Sequence, residues 1–273
     1  MVVQNRAMPE NFHELCEGDE RMLLESAADD LAEVAFLNRA GDELFRVAQD
    51  AKTDGRPAGA PAGWGASSNG VLAAAAMALR TGRAIGLLVR SGYGVEAAGL
   101  LRRLGEITQH AAGCAQDSTG TYARNWGEGA GKAGKPSRAY MQGVREPDAV
   151  RDKWSFLSQM EHANLRPYLN FMCSRDKRGE IVHPVAPARH EAADALVLSS
   201  AAWDLARTAA AVCKAHPHLD DRQTLELAEE LRSRHATSDG RIDAWALARQ
   251  QEMRPDPDAP NDGGGDPTAG TFH

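Results

Sequence analysis

SGYGVEAAGLLRRLGEITQHAAGCA, residues 91–115, decides how this chain folds. Leu101, Leu104, Thr108 and Ala111 recur at helical spacing, so one side of the run is apolar. Arg102, Glu106 and His110 recur every four residues on an adjoining stripe. SGYG turns the chain between two helical patterns, and the spacing predicts a helix over 94–116. A second run, WSFLSQMEHANLRPYLNFMC at 154–173, sets Ser158 and His162 on one face in the same way. Polar groups beside the apolar seam of a bundle must be paired, exposed in a cleft, or functional.

The rest of the chain repeats the helical pattern. Residues 19–52 read as a long amphipathic helix that Gly41 kinks or divides. TDGRPAGAPAGWGA at 53–66 reads as a loop, with Ser67 or Ser68 as N-cap of a helix over 68–90. Consecutive helices with a short connection pack antiparallel. The Gly-rich stretch 117–137 reads as a weakly structured flap, which Trp126 anchors to the body. Helices are expected over 147–163 and 165–174, then an extended segment over 174–187. A long helix over 188–215 stops at Pro217, and helices over 219–235 and 241–252 follow. Residues 1–18 read as loosely ordered and 253–273 as a disordered acidic tail. The expectation is one all-α, multi-helix bundle of long antiparallel helices over 19–252.

Composition agrees. Aromatics are only 5%, and Ala, Leu, Glu and Arg outweigh the β-branched residues, which favours helix over sheet. The usage suggests a bacterial protein. No two of Cys16, Cys114, Cys173 and Cys213 are close, so no CxxC signature exists and each is expected to be a small buried or half-buried side chain. The start is polar and acidic, and no apolar stretch reads as long enough to span a bilayer; Val71–Val89 comes nearest, interrupted by Arg80 and Arg83. A cytoplasmic protein without membrane contact is expected. The net charge of −7 is uneven: residues 124–189 carry 12 basic and 7 acidic residues, a mildly basic middle that reads as a solvated surface or a contact for phosphates.

Several groups have the residue types for chemistry. Arg102, Glu106 and His110 form a polar line on a helix, facing a cleft or fixing its packing. Ser158 and His162 can hydrogen-bond, but no GxSxG elbow is present. For metal, Glu106 with His110, and His190, Glu191 and Asp194, are the best sets; neither contains a Glu-x-x-His pair, so neither a metal nor another cofactor is expected. HPH at 216–218 reads as a helix end.

RGEIVH, Arg178 to His183, resembles the Arg–His motif of the HEPN superfamily (higher eukaryotes and prokaryotes nucleotide-binding), all-helical proteins often acting as RNases in bacterial defence. The resemblance implies metal-independent RNA cleavage, with His as acid or base and Arg stabilising the phosphorane. GLLRRLGE at 99–106 with WSFLSQMEHA at 154–163 resembles a bacterial helical family described as a domain of unknown function and regarded as HEPN-related. That likeness implies a helical bundle with Arg102, Glu106, Ser158 and His162 lining a shared polar site. Three functions follow: a non-catalytic protein that binds a partner or assembles with itself in a defence or stress system; a HEPN-like RNase acting on RNA; or a metal-dependent helical-bundle enzyme.

Overall fold

The structure is a computed structural model that describes residues 21–23, 32–53, 55–128, 174–175, 181–183, 187, 191–235 and 271–272. Its body is an all-α bundle: α1 (Ala32–Thr53), α2 (Trp64–Arg90), α3 (Gly94–Gln116), the short α4 (Thr121–Gly127), α5 (Glu191–Ala215) and α6 (222–235). Strands of two or three residues, β1 (Ser174–Arg175), β2 (Ile181–His183) and β3 (Thr271–Phe272), form a small patch ordered β1-β2-β3. β1 and β2 pair antiparallel, within the segment expected to be extended.

α5 is the centre. It packs against α1, α2 and α3, and it buries residues around its whole circumference, from Ala195 and Leu198 to Ala209 and Val212. A helix apolar all round belongs inside a core. α2 and α3 cover it as the antiparallel pair that their short link demands. That link is a Schellman cap: Tyr93 N–H reaches Leu88 O at 2.8 Å and Gly92 N–H reaches Val89 O at 3.0 Å. The cap needs a left-handed residue, and Gly92, at φ +85°, supplies it without a Cβ clash. Leu101, Leu104, Thr108 and Ala111 are all buried, as the period requires. Packing is close because the facing residues are small. A Cβ on Gly82 would lie 2.9 Å from the Leu205 side chain, so this leucine packs directly onto the α2 backbone.

Four expectations need correction. α2 starts at Trp64, with Gly63 as N-cap, so Ser67 and Ser68 are buried inside the helix rather than capping it. Gly41 does not divide α1, which runs unbroken through it. Within 117–137, residues 121–127 are helical. Asp117 organises this helix by accepting from Thr119 N–H at 2.9 Å and Tyr122 N–H at 2.6 Å, and Gly120 takes the left-handed turn at φ +70°. Finally, Trp64–Arg90 and 193–215 are long and apolar enough by average hydropathy to cross a bilayer, because alanines dilute Arg80 and Arg83. In the second, 78% of the most apolar window is already buried in protein, against 39% in the first.

Candidate functional site

The polar line on α3 breaks into two separate uses. Arg102 Nε lies 3.6 Å from Glu106 Oε1, a half-exposed ion pair within the helix. His110 leaves that line. Its Nδ1 is 3.1 Å from Tyr122 Oη, and its ring stacks on Trp126 at 4.5 Å between centroids and 10° between planes. The aromatic anchor expected of Trp126 therefore exists, and His110 is what it grips. Burial holds the His110 imidazole below its ordinary value of 6.5. Tyr122 fits because a Cβ on Gly113 would lie 2.4 Å from its ring.

Ser158, His162 and Arg178 lie outside the described residues, as do His190 and the stretches 147–173 and 241–252 where helices are expected. His183 falls in β2. Of the acidic group around residue 190, Asp194 is 1% exposed and sits against the first turn of α3, its Oδ1 where a Cβ on Gly94 would be. A carboxylate is favoured there by the helix dipole. Among the described residues, no group of three or more His, Cys, Asp or Glu side chains converges as a metal site.

Two constellations were missed by sequence. The first joins α2 to the C-terminal end of α5. His216 is wholly buried, with Nδ1 3.0 Å from Val212 O and Nε2 2.9 Å from Ser68 Oγ. A carbonyl can only accept, so Nδ1 carries the proton and Nε2 accepts from the serine hydroxyl. Trp64 meets the ring edge-on at 5.4 Å and donates its indole N–H to Ala215 O at 3.0 Å. Burial pushes His216 below 6.5, and nearby His218 adds to that. HPH is a helix end, as expected, and also a tertiary joint. Residues 148 apart make the bond, so no local signal marks it.

The second joins α1 to α6. Glu43 is 4% exposed and accepts two hydrogen bonds from Arg46, at 2.7 and 2.9 Å. Arg46 continues to Asp50 at 2.9 Å. Thr224 donates to Glu43 from α6, and the Cys213 thiol of α5 donates to Thr224 at 3.7 Å. Arg46 is the main reason that Glu43 titrates below its ordinary value of 4.5, burial opposing it. The spacing of Glu43, Arg46 and Asp50 could have signalled the helical part; Thr224 could not be read from sequence.

A groove of about 530 Å³ runs along this seam. Arg39, Asp42, Glu43 and Arg46 line one side, and Gln223, Glu226, Leu227 and Glu230 the other. Four carboxylates against two guanidiniums leave it at −2. Arg39 and Glu230 span it at 3.1 Å, which sets α1 and α6 antiparallel together with the Glu43–Thr224 bond. Both arginines are thus matched within the seam. Asp42 and Glu226 make no hydrogen bond or ion pair in the described residues. Compared with known families, curated proteins and solved structures, the chain matches none.

Proposed function

We propose that this chain is a non-catalytic helical protein that binds a protein partner, and that a basic segment of that partner docks in the α1–α6 groove. The carrying observation is the pair Asp42 and Glu226, two carboxylates unmatched among the described residues, in a groove whose arginines are already matched. A cationic side chain gains both, whereas the phosphates of RNA meet a negative field. Phe45, 54% exposed and one helical turn from Asp42, offers apolar area on the same helix. Further support comes from the histidines His110 and His216, whose described contacts are structural hydrogen bonds and ring packing.

The test pairs retrieval with cleavage. Tagged wild type and the double variant Asp42→Lys, Glu226→Lys are compared for partners that, once purified, bind the wild type directly. A partner lost from the double variant and sensitive to salt supports the reading. Equal binding by the double variant overturns the groove. Cleavage of purified RNA in EDTA, abolished by His183→Ala, overturns the non-catalytic reading in favour of a HEPN-like RNase.

A further inference from the structure

The α2–α5 joint suggests a device that partner binding does not require. His216 has no exposed surface, and both of its nitrogens are committed. The groups that face it are Ser68 and Trp64 from α2, Val212 from α5, and His218 from the turn that follows, whose ring centroid is 5.9 Å away. The adjacent 117–120 turn brings Asp117, but that carboxylate is directed to Thr119 and Tyr122. Among the described residues, the titratable group beside His216 is therefore another imidazole. His218 is exposed. A positive charge on His216 is opposed by burial and by its neighbour. A proton on Nε2 also removes the lone pair that accepts from Ser68.

We infer that His216 is an acid-sensitive clasp, which holds the end of α5 to the start of α2 while neutral and releases it when protonated. Release frees more than one bond. Ser67 Oγ, on the same turn of α2, holds Asp117 O at 2.5 Å, and Gly63 lies against Thr119. Opening at His216 therefore loosens the 117–120 turn and α4 behind it. The device responds to mild acid, in the window where histidine alone among side chains ordinarily titrates.

Hydrogen exchange of the full chain tests this, read segment by segment from pH 7.5 to 4.5 and corrected for intrinsic rates. Protection over 64–71 and 212–219 should fall about tenfold per pH unit below 6.5, the slope of one proton. His216→Gln keeps a donor and an acceptor but cannot titrate, and it should flatten that slope. His218→Gln removes a charge that opposes protonation of His216, so the fall should level off at a higher pH. A flat wild-type profile, or an equal fall in His216→Gln, overturns the clasp. Ring titration of wild-type His216 by NMR decides the matter without a variant: a folded-state midpoint at or above 6.5 also overturns it.

Discussion

The C-terminal turn of α5 takes part in two seams built on opposite chemistry. On the α2 side, His216 and Ser68 are joined by neutral hydrogen bonds in a dry, small-residue interface. On the α1–α6 side, Cys213 reaches a network of ions, Glu43, Arg46 and Asp50, that opens to solvent. Neutral bonds tolerate burial but fail when a proton arrives. Ion pairs need partial solvation and fail when a carboxylate is neutralised or salt screens it. The seams should therefore separate along the axes of space, pH and salt.

The largest difference is steric. Alanine at Gly63 would put a Cβ 2.0 Å from Thr119 O, a backbone atom that cannot rotate aside. Overpacking of this kind costs about 1–3 kcal/mol, so Gly63→Ala should lower the urea midpoint and expose α4 to proteolysis. An unchanged midpoint would mean that the 117–120 turn contributes nothing to the neutral seam.

The ionic seam breaks through its one cross-helix hydroxyl. Thr224→Val preserves shape and removes a donor to buried Glu43, at a cost of about 1–3 kcal/mol. It should also alter the acid response. Because Glu43 titrates below 4.5, its contribution is complete above that value and is lost as pH falls through the lower folded value. Stability measured at pH 6 and pH 3 should differ less in Thr224→Val than in wild type. His216 acts in a different window, since it is held below 6.5 and its contribution is lost as pH falls beneath that value. Two acid transitions, one per seam, are expected in the wild type; a single carboxylate-range transition would erase the distinction.

These contrasts also explain what was legible in the sequence. The bounds of α3, its buried face and the stop after α5 were readable, because local periodicity and SGYG encode them. Ser67 and Ser68 were misread because serine after a Gly/Pro-rich loop suggests a cap. Their partners, Asp117 and His216, lie 50 and 148 residues away. The helix of 121–127 was hidden by the glycines around it, although Asp117 followed by Thr119 and Gly120 holds its capping chemistry. Arg102 with Glu106 was legible as an ion pair on one helix, whereas the departure of His110 toward Trp126 depends on how α4 folds back.

Alanine at a second glycine should act in the opposite direction. Gly41 sits inside α1, on the ionic side, and nothing lies within 4 Å of the Cβ it would gain. Its helical backbone suits alanine, and fewer unfolded conformations remain to be lost, so Gly41→Ala should stabilise by about 0.5–1 kcal/mol. The same chemical change would then destabilise one seam and stabilise the other. Equal effects in thermal melts would show that packing distance does not distinguish them.

The smallest effect is expected at Arg39 and Glu230, 54% and 37% exposed, across the mouth of the groove. Glu230 also lies 3.6 Å from Arg234, so removing its charge touches two arginines at once. Exposed pairs of this kind are worth about 0–1 kcal/mol, because water screens the charges and two long side chains must be held still. Arg39 also rests over Phe36, which keeps part of its packing when the carboxylate is gone. Glu230→Gln should therefore shift the urea midpoint only slightly at low ionic strength. At about 1 M salt, where screening acts within about 3 Å, that shift should vanish while the cost of Gly63→Ala remains. A shift that survived high salt would assign the pair a packing role and move the groove's mouth from the ionic class to the steric one.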